Sequence, residues 1–257
     1  WSDITMDFLC NPLFAPEVVA ASRLRVDGAA EAESEAGHRF LRYWVGGVPP
    51  DEEQRHSAPD VDGGLNGIGM YGGLSFIIEA AVTRADGNES KDLGKRVDAY
   101  LVLFRRFLAE GPRPGDLDAV ETARRRPLPA FLPANAFWAN PAGAVVDFPV
   151  IDAASGKATM VATPNLMSTM VVKGSVPTPA AYAIVPEAAA TFRELLSRHG
   201  IPFEEVLAPR PVKAERCTLL RVEEEFDDLY GRYGGRQIVR REPASRVELA
   251  PGSLLVP

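Results

Sequence analysis

The chain has 257 residues, 46% of them hydrophobic, which is enough for one large or two modest cores. Its 28 Lys and Arg against 35 Asp and Glu give a net charge of −7, and neither nucleic acid nor an anionic membrane fits as a partner, because both require a positive field. Two cysteines, Cys10 and Cys217, exclude a disulfide framework and lack the paired spacing of a cysteine zinc site.

The sequence opens at Trp1 on Asp3, Ile4, Thr5, Met6, Asp7 and Phe8, which reads as a strand already under way, so a truncated or processed chain is expected. Asn11-Pro12 reads as a turn, and Pro16 starts a short helix through Val18, Val19 and Leu24. Residues 27–37, rich in Ala, Glu and Gly, and residues 46–73, dense in Gly and Pro, read as loop or weak helix. Residues 74–82 form an almost continuous apolar run, the pattern of a strand buried on both faces of a parallel sheet. One charge, Glu79, interrupts it. Ser90 then reads as the cap of a long helix on Leu93, Val97, Tyr100, Leu101, Phe104, Phe107 and Leu108, with Gly111 as its stop.

Residues 113–132 have the Gly, Pro and Arg composition of a linker, which divides the chain into a domain over 1–112 and a module over 133–257. Short apolar segments separated by Pro and Gly make the module β-rich, with strands read at 143–150, 158–162, 167–172, 182–185, 203–207, 217–222, 237–240, 247–249 and 254–256. One helix interrupts them, starting at Pro186 and stopping at Gly200. No run of 18 apolar residues occurs, so no membrane-spanning helix is expected.

Gly67-Ile68-Gly69-Met70-Tyr71-Gly72 matches the letters of a dinucleotide fingerprint, but it follows a loop and runs into a strand, the reverse of the required context. A loop beside an active site fits it better. Glu79 is the informative residue, since a carboxylate in an apolar strand is costly to desolvate unless paired or ligated. Either its head reaches water at the strand end or it is functional, and a buried carboxylate of raised pKa could serve as general base toward a metal-bound water. His38, His56 and His199 form no H-E-x-x-H, H-x-x-E or close metal pair. His199 beside Gly200 fits a helix C-terminus, and His56 is a weak site candidate.

Glu79 at the end of an apolar strand, after a Gly-rich loop and before one long amphipathic helix, resembles the closing section of the carboxypeptidase A-like zinc peptidases. The tail, with Tyr182-Ala183-Ile184-Val185-Pro186, His199-Gly200-Ile201 and Leu249-Ala250-Pro251-Gly252, is similar to the β-rich C-terminal extension of bacterial members. The resemblance implies an α/β fold with a mainly parallel or mixed sheet, here a partial catalytic domain, followed by a β-rich module. It also implies Glu79 as the general base, Tyr71 as the residue covering the substrate, the C-terminal end of a peptide as substrate, and Zn2+ as cofactor. The family's H-x-x-E motif and substrate-gripping Asn-Arg pair have no match. At the third zinc ligand, written D-x-H in the family, this chain has Asp7-Phe8-Leu9, 70 residues before Glu79, and leucine binds no metal. No metal ligand is therefore identified. Two other readings remain open: a related zinc amidohydrolase or deacylase of the same fold, and a non-catalytic binding module that has lost its metal site. Oligomeric state and location are not read from the sequence.

Overall fold

A computed structural model describes residues 2–61, 64–80, 93–151, 155, 157–227 and 232–257. The chain mixes helices and sheets and divides into two compact units, Trp1–Thr178 and Pro179–Pro257.

The first unit begins with β1 (Ile4–Phe8) and α1 (Pro16–Glu35), followed by three short strands, β2 (Phe40–Arg42), β3 (Val45–Gly46) and β4 (Gln54–Arg55). Next come α2 (Gly64–Gly69), β5 (Phe76–Ala80), α3 (Leu93–Glu110) and α4 (Pro114–Arg125). The unit closes with β6 (Phe131–Ala139), β7 (Val146–Ile151), β8 (Ala158–Thr163), β9 (Leu166–Met167) and β10 (Thr169–Pro177). Strand β1 is the centre of a mixed three-stranded sheet, parallel to β2 and antiparallel to β5. The register sets Thr5 opposite Glu79 and Phe8 opposite Phe76.

Alternation along β1 turns Ile4, Met6 and Phe8 to one face, where Val26 and Ala29 of α1 and Ala99 and Leu103 of α3 cover them. Helix α1 buries Val18, Ala21, Ser22, Arg25, Val26 and Ala29, a helical period that continues well past Leu24. The expected short helix is therefore twenty residues long, because the Ala-rich stretch after Leu24 has high helix propensity and a buried stripe to extend. Residues 46–73 likewise hold β3, β4 and α2.

The expected linker is also structured. Pro114 at the first turn of α4 and a capping bond from the Arg113 N–H to the Asp116 carboxylate start a helix there. Asp116 and Glu110 both pair with the buried Arg25 of α1, which ties α4 to the first unit. The units accordingly part after Thr178 rather than within 113–132. The Ser90 cap lies outside the described residues, while Gly111, at φ 58°, follows the last turn of α3 as expected.

The second unit contains β11 (Tyr182–Ile184), α5 (Pro186–Arg198), β12 (Glu204–Glu205), β13 (Arg210–Asp227), β14 (Arg232–Leu249) and β15 (Leu254–Val256). Its core joins Ala189 and Leu196 of α5 to Leu254 and Val256 of β15, the central strand of the order β11-β15-β12. Among the described residues, strands β13 and β14 pair only with each other, as a long antiparallel ribbon. Among the described residues no helix is long and apolar enough to cross a membrane.

Candidate functional site

Glu79 lies on β5, an edge strand of the sheet rather than the doubly buried strand of a parallel sheet that the apolar run predicts. Its side chain is exposed, so the desolvated carboxylate expected there is not what the fold builds. With a neighbour among the described residues only on the β1 side, β5 leaves most of its residues half-buried, and a charge at residue 79 meets water. The backbone around it is nevertheless held on both sides. The Thr5 hydroxyl donates to the Glu79 carbonyl at 3.2 Å. Across the strand the Ala80 N–H donates to the Tyr100 hydroxyl at 3.3 Å, and that hydroxyl donates to the Ile78 carbonyl at 3.4 Å. Tyr100, which the sequence reading assigned only to an apolar helix face, thus brackets Glu79 from α3. Tyr71 follows α2 in a turn where its N–H donates to the Ile68 carbonyl at 3.1 Å, and its ring is 60% exposed.

The glycines before Tyr71 serve packing. A β-carbon at Gly69 would lie 2.6 Å from Leu9 Cδ2 and 2.8 Å from Phe14 Cζ, so any side chain at residue 69 would have to displace those groups for α2 to sit against the end of β1. Leu9 is fully buried in that contact.

A second cluster, which the sequence reading missed, is a buried polar hub where β1 ends. Asp7 is fully buried. Its Oδ2 accepts from the Ser57 N–H at 3.0 Å and the Ser57 hydroxyl at 2.7 Å, and its Oδ1 accepts from the Phe8 N–H at 3.0 Å and Arg42 Nε at 2.9 Å. Asn66 of α2 is the other centre. Its Oδ1 accepts from the Cys10 and Asn11 N–H groups at 3.1 and 3.3 Å, and its Nδ2 donates to the Ala58 and Asp60 carbonyls at 2.8 and 3.0 Å. The Trp138 indole donates to the Ser57 carbonyl at 2.7 Å. The only signal in the sequence is that a strand with Asp at positions 3 and 7 must pair or expose them, and that pairing partner is distant in the chain.

The hub spends its polar atoms on itself, and its titratable groups are correspondingly quiet. Burial, reinforced by the neighbouring Asp7 charge, pushes the Cys10 thiol up to about 12, which keeps it protonated and non-nucleophilic. Burial and the Arg42 charge push His56 down to about 4. Its ring centroid lies 3.7 Å from that of Trp44 and 5.1 Å from that of Trp138, and its Nδ1 faces the Tyr43 carbonyl at 3.1 Å. His56 is thus a neutral packed ring. His38 Nδ1 lies 2.6 Å from Glu33, whose carboxyl is raised above its ordinary value by burial, and His199 caps the C-terminus of α5. Burial works against the charge of Asp3, but hydrogen bonds from Arg39 and Lys95 outweigh it and hold the carboxyl below the usual range.

The fit to zinc follows from these placements. Among the described residues no three of His, Cys, Asp and Glu gather into a group able to hold a metal ion. Leu9, at the position of the resembled third ligand, is locked against Gly69. The residues described do not fit the metal. Of the sequence-derived candidates, then, Glu79 and Tyr71 both reach solvent and no metal ligand joins them.

No protein-family model, curated protein or solved structure matches the chain.

Proposed function

We propose that the chain belongs to a carboxypeptidase-like hydrolase acting on the C-terminal ends of peptides, with Glu79 as its general base and Tyr71 as a residue that covers the substrate. What supports the reading is the setting of Glu79. Its backbone is fixed by Thr5 on one side and Tyr100 on the other, while its carboxylate is left to solvent at the end of an apolar strand. A general base needs that combination of fixed position and access to the proton it removes. The net charge of −7 is compatible with peptide substrates. The proton-transfer role belongs to Glu79; the described residues offer no ligand set for the zinc of this class, and no step is assigned to the metal.

Glu79→Gln should abolish nearly all peptide hydrolysis while zinc content, measured by elemental analysis, stays at the wild-type level. Activity near wild type refutes the assigned role.

A second reading has its own observation. Leu9, fully buried where a ligand would stand, favours a non-catalytic peptide-binding module that keeps Glu79 without a metal site. Protein that purifies without zinc, and takes up none on addition, selects this reading over the first.

A further inference from the structure

Helix α3 carries two apolar faces. One face, with Ala99, Leu103 and Phe107, closes the core of the first unit. The other carries Leu93, Val97, Leu101, Phe104 and Leu108, all exposed, Leu108 by 83%. Steps of three and four residues keep these five in one stripe along an 18-residue helix, about 27 Å long. A surface helix ordinarily turns charges to that side, and a contiguous apolar stripe marks a contact surface.

The charges beside the stripe indicate what covers it. Asp98 and Arg105 are exposed and seven residues apart, so they stand along the same flank of the stripe. Asp98 also lies 3.4 Å from His38 Nε2. Lys95 is turned away to Asp3, at 2.8 Å, and Arg106 is turned to Glu110, so neither opposes a partner on that flank. In a twofold contact, residue i meets j and j meets i. Two α3 helices packed antiparallel and crossing near Leu101 satisfy this rule with the residues present. Asp98 meets the partner's Arg105 and Arg105 meets the partner's Asp98, while Leu101 and Phe104 interdigitate and Leu108 packs toward the partner's Val97.

We propose that the exposed face of α3 is a self-association interface, occupied by α3 of a second copy of this chain in antiparallel register. A single helix pair buries less than the ~800 Å² per partner of a standard interface, so the dimer is weak and depends on concentration.

Charge exchange tests both the occupant and the register. By sedimentation velocity over a series reaching high micromolar concentration, the chain should move from monomer toward twice that mass, and Phe104→Glu should abolish the shift. Arg105→Asp places Asp against Asp twice, and Asp98→Arg places Arg against Arg twice. Each variant alone should remain monomeric, and an equimolar mixture of the two should regain the dimer, because both pairs are then opposite in sign. Circular dichroism and melting of each variant confirm that it is folded. If Asp98→Arg unfolds through its contact with His38, Phe104→Glu and Arg105→Asp still decide the outcome. A wild-type chain that stays monomeric throughout overturns the proposal, as do charge variants that associate like wild type. A mixture of folded variants that fails to dimerise overturns it too.

Discussion

The two cysteines carry opposite consequences for experiment. Cys10 is buried with its thiol pushed up to about 12, whereas Cys217 is exposed on β13. Since the thiolate is the reactive form, a soluble alkylating reagent near neutral pH should modify Cys217 quickly and Cys10 only after denaturation. Peptide mass mapping of native and denatured samples reads this directly, and equal rates at both would refute the hub as described. His56 makes a prediction about stability. Its folded pKa of about 4 lies below the ordinary histidine value of 6.5, so as pH falls the unfolded chain binds the proton first. The stabilisation is therefore complete above pH 6.5 and is lost between 6.5 and 4, by about 3 kcal/mol. Urea unfolding across that window should show the loss, and His56→Gln should flatten it. Asp3 acts by the same sign but lower, below the ordinary carboxylate range, where its bonds to Arg39 and Lys95 are broken by protonation.

At the scale of elements, the contact of α2 with β1 depends on one missing methyl group. Gly69→Ala sets a β-carbon against Leu9 and Phe14 and should destabilise the first unit by about 1–3 kcal/mol, measured as a shift of its denaturation midpoint. A variant as stable as wild type would show that α2 can move away freely. What was legible in the sequence is what local signals encode. Most strands of the β-rich half could be read, as could α3 and α5, because apolar period and flanking Pro or Gly are local signals. The extent of α1 and the existence of α4 could not, because Ala-rich and Arg-rich segments look like loop or linker until Arg25 supplies Asp116 and Glu110 with a partner some 90 residues away. Glu79 was legible as unusual, yet its burial was misjudged. An apolar run does not say whether its strand lies inside a sheet or at an edge. The hub of Asp7, Ser57 and Asn66 was illegible for a related reason: each member is an ordinary polar residue, and only tertiary contact gathers them.

The whole molecule divides where its cores divide. The core of α5 and β15 is built wholly from residues of the second unit, and that of β1, α1 and α3 wholly from the first. Expressed separately, residues 1–178 and 179–257 should each fold and give a dispersed amide spectrum. A collapsed or unstructured half would show that the division is not one of folding units.

The ribbon of β13 and β14 separates the two halves in time as well. Its register runs from Asp227 opposite Arg232 to Arg210 opposite Leu249, with shifts between Leu219 and Arg221 and between Ala214 and Arg216, so each new pair closes a loop only slightly longer than the last. The sheet of the first unit has no such gradual route, since even its shortest-range pair, Phe8 with Phe76, must be found across nearly seventy residues before the ladder reaches Thr5 and Glu79. Loop-closure entropy taxes the second search far more than the first. The C-terminal ribbon can therefore pair from its Asp227–Arg232 end early in refolding, ahead of the strand that carries Glu79.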